Sequence, residues 1–207
     1  MSAGHARQPA VENIVLDAAM PPDLECRLLT LDAPRCQLRV HARTVLLEML
    51  SSRLNLPASQ LQIVTSESGK PCCPQALAAG LSFSLSYAPP YACLALGQGS
   101  HIGIDIERVV PSEPTWNLLE LVFTETELQQ WLRLPAGEMR RRAFTAAWTL
   151  KEAVLKARGT GLAEPPQSVG VTFTEDGQAI PAAAPSLGVW QRLHWIPGHV
   201  GSIVHFG

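Results

Sequence analysis

Gly103-Ile104-Asp105-Ile106-Glu107 decides how the second half of this chain is built. Ile102, Ile104 and Ile106 alternate with Gly103, Asp105 and Glu107, which is the period of a β-strand with one apolar face. The isoleucines are expected to face a core and both carboxylates to project to the opposite side. At about 3.3 Å rise per residue their Cα atoms stand roughly 6.6 Å apart, close enough for two side chains to share one cation. A lone Asp-x-Glu more often marks an ordinary strand with a wet acidic face. Like charges on neighbouring same-face positions repel, however, unless a cation or base lies between them.

Further along stands Trp148-Thr149-Leu150-Lys151-Glu152-Ala153-Val154-Leu155-Lys156. From Glu138 to Arg158 there is neither Pro nor Gly, Ala and Leu are frequent, and Gly159 and Gly161 supply a stop, so the spacing predicts a helix over 138–158. Trp148, Glu152 and Lys156 are spaced i, i+4, i+8 and drift only about 40° per step, which puts them on one stripe. Lys151 sits beside it. An isolated Glu-x-x-x-Lys is usually a surface ion pair worth a few tenths of a kcal/mol. Trp148 on the same stripe argues instead for a partly buried face, where a Glu and a Lys are more telling.

With these two segments the chain resembles the Sfp-type 4′-phosphopantetheinyl transferases. Their signatures are a Gly-Ile-Asp-Ile-Glu strand and Trp-x-x-Lys-Glu-(Ala/Ser)-x-x-Lys followed by Gly-x-Gly-Leu, here Gly159-Thr160-Gly161-Leu162. Two upstream features match in order. Gly69-Lys70-Pro71 is the family's Gly-Lys-Pro, and Ser82-Phe83-Ser84-Leu85-Ser86-Tyr87 stands where the family has Phe-Asn-x-Ser-His. The likeness runs from about Arg39 to the C-terminus. Tyr87 replaces the family's histidine and Ser84 its asparagine; a tyrosine can donate a hydrogen bond to a phosphate but carries no positive charge at neutral pH.

The resemblance implies an enzyme that moves the 4′-phosphopantetheine arm of coenzyme A to a serine of an apo acyl or peptidyl carrier protein, giving the holo carrier and 3′,5′-ADP. Such carriers serve fatty acid, polyketide or non-ribosomal peptide synthesis. It implies Mg²⁺ held by Asp105, Glu107 and Glu152, directly or through water, since a hard cation prefers carboxylate, water and phosphate oxygens. Glu152, or a water held by Glu107, is the expected general base, with Lys156 at the pyrophosphate and Lys151 helping. Arg39 or Arg43, Lys70 with Pro71, the Ser86 hydroxyl and Tyr87 are the expected contacts to coenzyme A. Two other readings compete. Carboxylates with lysine also suit a metal-dependent phosphohydrolase or nucleotidyl transferase, and Tyr87 motivates a non-catalytic relative that binds coenzyme A or carrier protein.

Composition sets the frame. The 207 residues suffice for one domain or two small ones, and 46% hydrophobic with 16% charged residues is globular. A net charge of −2 gives no reason to expect nucleic acid. The five cysteines lack zinc-ligand spacing and fit reduced thiols in a cytoplasm. No run reaches the length of a membrane helix and no leader is expected, so a cytoplasmic, monomeric chain is predicted. Arg140-Arg141-Arg142 is read as a solvated helix face with carrier docking as the lesser reading, the histidines receive no role, and Trp131, Trp190 and Trp195 are read as core.

The order of elements suggests a duplication. After an irregular, Ala/Pro-rich start over residues 1–25, a helix is expected over 35–53, then a strand over 61–65 and strands over 81–87 and 91–96 joined at Pro89-Pro90. Past Gly97-Gln98-Gly99-Ser100, short helices over 118–122 and 125–134, the second capped by Thr124, lead to the helix 138–158. A strand over 169–174 and a hairpin of 189–196 and 202–206 follow. Helix, strand, hairpin occurs twice. The expected fold class is therefore α+β, a pseudo-twofold pair of subdomains over 1–100 and 101–207, each a small antiparallel sheet with a packed long helix, and the family implies a cleft between them.

Overall fold

The computed structural model describes residues 9–66, 69–99, 101–182, 188–193 and 196–206. Trp195, Ser100 and the side chain of Leu162 lie outside this description, so the expected core role of Trp195 and the junction at Ser100 do too. In chain order the elements are β1 (Ala10–Asn13), β2 (Glu25–Thr30), α1 (Arg35–Leu54), β3 (Val64–Thr65), β4 (Pro71–Cys72), α2 (Pro74–Ala78), β5 (Leu81–Ala88) and β6 (Tyr91–Gln98). Then come β7 (His101–Arg108), α3 (Trp116–Val122), α4 (Glu125–Arg133), α5 (Glu138–Arg158), β8 (Val171–Phe173), β9 (Ala179–Pro181), β10 (Val189–Leu193) and β11 (His199–Phe206).

The mixed α+β class is as expected, and the two sheets share a connection order. One runs β1-β2-β6-β5 and the other β10-β11-β7. In each, a first strand (β2 or β7) pairs antiparallel with the second strand of a hairpin (β6 or β11), and the long helix between them covers the sheet. Side-chain alternation fixes four layers. Leu29, Leu94 and Leu96 pack under α1 beside Leu38, Leu46 and Leu50, while Val200 and Val204 pack under α5 beside Leu150 and Val154. Between the sheets Cys26, Leu28, Cys93 and Ala95 meet Ile102, Ile104, Ile106 and Ile203. The isoleucine face of β7 is thus an inter-sheet core, and it forms because every second residue on both partners is apolar.

The half-exposed strand suggested by the alternation is corrected here. The acidic face of β7 is roofed by α5, and Asp105 is only 2% exposed. Gly103 permits this approach: a Cβ on it would fall 1.8 Å from the backbone oxygen of Ala153. The other edge of β7 faces β5. There the Ser84 hydroxyl accepts the Ile104 amide at 3.1 Å and the Ser86 hydroxyl accepts the Ile106 amide at 3.2 Å, so side chains replace a missing strand partner.

Helices were the most legible elements. The 138–158 span is as expected, α1 buries Leu38, Ala42, Val45, Leu46, Met49 and Leu50, and Thr124 caps α4 in a reciprocal capping box with Glu127. Three expectations are overturned. Strands β1 and β2 lie in or beside the stretch taken as irregular, and the strand expected over 61–65 shrinks to Val64–Thr65. Arg140 is not solvated either: it donates to the carbonyls of Leu134 (2.9 Å) and Leu132 (2.6 Å) and stacks on Trp131. Trp131 is core and Trp190 only partly buried against it.

Candidate active site

The C-terminal half of α5 runs over β7, bringing Glu152 and Lys156 above Asp105. Lys156 Nζ donates to Asp105 Oδ1 at 2.6 Å and to the Ile104 carbonyl at 3.2 Å. The Ser86 hydroxyl donates to the same Oδ1 at 2.8 Å. Asp105 Oδ2 and Glu152 Oε1 are both buried and, among the described residues, accept from no donor. Burial raises the pKa of Glu107 to about 7, with the Asp105 charge next and Lys156 opposing it. Burial and then Asp105 raise Glu152 as well. The three carboxylates therefore share one electrostatic neighbourhood.

A cavity of about 330 Å³ opens beside them, lined by Lys70, Pro71, Tyr87, Glu152, Lys156 and Gly159 among others. The turn at Gly69, the β5 strand and the end of α5 lie far apart in the chain and converge on this cavity. Gly159 ends α5 in the left-handed conformation, and the chain beyond it stays at the cavity, which Gly161 also lines. Lys70 donates to the Lys156 carbonyl at 2.7 Å and to the Ile102 carbonyl at 3.4 Å, tying the Gly-Lys-Pro turn to both α5 and β7. Its pKa is lowered by burial and by the Lys156 charge. Glu107 lines a neighbouring apolar cavity of about 260 Å³ with Trp148 and Phe144. The more voluminous cavity, about 490 Å³, lies at the other end of α5 and holds none of the expected site residues.

Two expected contacts are placed differently. Lys151 is turned away from the cavity and is 0% exposed; its ammonium meets both Glu127 oxygens (3.0 and 2.9 Å) and the carbonyls of Pro166 (3.2 Å) and Val169 (2.8 Å). One step along a helix is about 100° of rotation, so a neighbour of Glu152 faces elsewhere. Ser86 is buried, with its hydroxyl committed to Asp105 and the Ile106 amide; it orients a carboxylate rather than lying open to a ligand. Arg39 stands over the Tyr87 ring, its guanidinium carbon 5.6 Å from the centroid, and Arg43 donates to the Ile63 carbonyl at 3.4 Å. The sequence marked Ser84 only as a substitution and gave no role to it, though its hydroxyl locks Ile104, nor to Arg35, whose charge reaches both Glu107 and Tyr87. For Ser84 the period-two spacing with Ser86 was the available signal.

Among the described residues no three His, Cys, Asp or Glu side chains are arranged as a metal cage. The donor set nevertheless fits a hard divalent cation, because two buried carboxylate oxygens lack a proton donor and a third carboxylate lies close enough to feel them.

Fold and site together define a mixed α+β protein with a buried carboxylate–lysine centre suited to a phosphate ester. Residues 101–201 match the family model described as the 4′-phosphopantetheinyl transferase superfamily. The chain is 31% identical over 157 residues to the 4′-phosphopantetheinyl transferase HetI of Nostoc, covering 75% of this chain and 64% of that protein. It is 32% identical over 153 residues to the transferase psf-1 of Bacillus pumilus (71% and 63%) and 31% identical over 130 residues to Sfp of Bacillus subtilis (63% and 55%). The chain thus spans less than two thirds of the length of these relatives. It belongs to the 4′-phosphopantetheinyl transferase superfamily, of the Sfp type.

Proposed function

We propose that the chain transfers the 4′-phosphopantetheine arm of coenzyme A to a serine hydroxyl of an apo acyl or peptidyl carrier protein. The supporting observation is the cavity where Gly69-Lys70-Pro71, Tyr87, Glu152, Lys156 and Gly159 converge beside two buried carboxylate oxygens that have no partner among the described residues. Asp105, Glu107 and Glu152 would hold Mg²⁺, which when bound neutralises charge on the pyrophosphate oxygens. Lys156 orients Asp105 through its 2.6 Å contact and adds positive charge where the leaving phosphate develops. Lys70 adds a second. Glu152, its pKa raised by burial, takes the proton of the attacking serine, or a water held by Glu107 does. The serine oxygen forms the new bond to phosphorus, the bond to the nucleotide's phosphate breaks, and 3′,5′-ADP leaves.

We further assign residues 1–100 and 101–207 to two subdomains, on the strength of their shared connection order. A cytoplasmic setting fits the five free cysteines, and among the described residues no helix is long and apolar enough to cross a membrane. The deciding experiment incubates the protein with Mg²⁺, coenzyme A and an apo carrier protein and weighs the carrier. A mass gain of one phosphopantetheine is expected, falling at least about a hundredfold in rate for Glu152→Gln. An unmodified carrier, or an undiminished rate in the variant, would overturn the assignment.

A further inference from the structure

The cavity of about 490 Å³ at the N-terminal end of α5 has unsatisfied chemistry of its own. Glu138, Arg142 and Ala146, spaced by four on one stripe of α5, form one wall, and Arg192 and Leu193 of β10 with His199 and Val200 of β11 form another. Five buried side-chain nitrogen or oxygen atoms lack a partner among the described residues. Two belong to the carboxylate centre, and two more, Arg192 Nε and His199 Nε2, are on residues that line this cavity. Folded proteins leave few such groups, so a pair on one cavity calls for a reason.

Arg192 is only 9% exposed, and among the described residues no carboxylate lies within ion-pairing distance of it or of Arg142. Its guanidinium donates through Nη1 to Gln178 Oε1 at 2.9 Å and through Nη2 to the Ala179 carbonyl, over the Trp190 ring. These contacts hold its orientation, but both acceptors are uncharged. Burial pulls its pKa down, and the Asp176 charge pulls it back. Asp176 and Glu138 are exposed, and the Asp176 oxygens accept from Thr174 and Gln178. The acidic side chains therefore stay with water at the rim, and the charge left without a match is the buried positive one. His199 Nδ1 donates to the Pro197 carbonyl at 2.9 Å, which leaves Nε2 for a further polar group. We propose that this cavity is a second ligand site, for a small organic acid whose carboxylate or phosphate group meets Arg192 and Arg142 and whose apolar body lies on Met139, Leu193 and Val200. It would take that acid whether or not the chain is a transferase.

Titration calorimetry on the full chain, with hexanoate, hexyl phosphate and hexanol as probes, tests this. At least one acid should bind with a Kd at or below about 1 mM, and hexanol at least about tenfold more weakly, the scale of one charge-assisted hydrogen bond. The tighter acid identifies the head group. Arg142 is exposed, so Arg142→Ala should fold normally and weaken the acid about tenfold. Ala146→Leu fills the cavity from its helix wall and leaves every charge in place, so it should abolish binding. Should that variant not fold, Arg142→Ala decides alone. Lys156→Ala should leave the affinity unchanged, which separates this cavity from the cleft beside Glu152. The site is refuted if neither acid binds, if Arg142→Ala or a folded Ala146→Leu binds as the wild type does, or if Lys156→Ala loses binding. Carrier modification is measured separately, and a chain that binds the acid but modifies no carrier would sink the transferase reading alone.

Discussion

Replacing Lys151 by methionine tests which lysine of α5 serves the fold and which serves the site. Methionine keeps the unbranched stem but strands the Glu127 carboxylate and the carbonyls of Pro166 and Val169, all buried around the ammonium. Glu127 would keep only amide donors, from Thr124 at 2.8 Å and Val171 at 2.8 Å. Removing one partner of a buried pair costs about 3–5 kcal/mol, chiefly the desolvation of the charge left behind. For a chain of this size each kcal/mol moves the midpoint by about 2–4 °C, so Tm should fall by about 6–20 °C. Adding Glu127→Gln removes the stranded charge while its amide oxygen still accepts from Val171, and the double variant should recover more than half the loss. Thermal and urea unfolding of the four proteins gives the stabilities, and KM for coenzyme A below the melting range gives the site. KM should not change. A single variant that loses less than about 1 kcal/mol yet raises KM tenfold would mean that Lys151 faces the donor after all.

Three further outcomes are expected. Glu107 and Glu152 have folded pKa values above their unfolded ones, so the stability they contribute is present below about pH 4.5 and is lost as the pH rises, for Glu107 through about 7; metal-free protein should melt lower at pH 8 than at pH 5.5, and Glu107→Gln should flatten that slope, whereas an unchanged slope would mean that Glu107 is well solvated. Gly103→Ala forces a Cβ onto the Ala153 backbone oxygen and should cost at least about 3 kcal/mol or yield insoluble protein; wild-type stability in a denaturant titration would contradict the close packing of α5 on β7. Asp105→Asn relieves repulsion on Glu107 and Glu152 while disabling the carboxylate that Lys156 holds, so carrier modification should stop while the metal-free Tm holds within a few degrees, and retained turnover at low Mg²⁺ would show that Asp105 is not a ligand.

What the sequence determined by itself is local. An uninterrupted Ala/Leu-rich run bounded by glycine can only be a helix, and α5 spans Glu138–Arg158 as its composition requires. Thr124 and Glu127 announced a cap, and the isoleucine alternation announced which face of β7 meets apolar partners. The order of four motifs was enough to point to a family. Strands β1 and β2 stayed hidden because β2 is held by β6, distant in the chain, and β1 in turn by β2, and strand propensity depends on such partners more than on the segment itself. Direction of side chains was the other thing withheld. Lys151 and Lys156 are equally lysine in the sequence, but five positions on a helix differ by about 140° in facing, and packing sends one to Glu127 and the other to Asp105. Only the tertiary structure could decide that Ser86 serves Asp105, that Arg39 lies on Tyr87, and that α5 roofs the acidic face. Each of these follows from which surfaces exclude water together, a property of the assembled layers and not of any one segment.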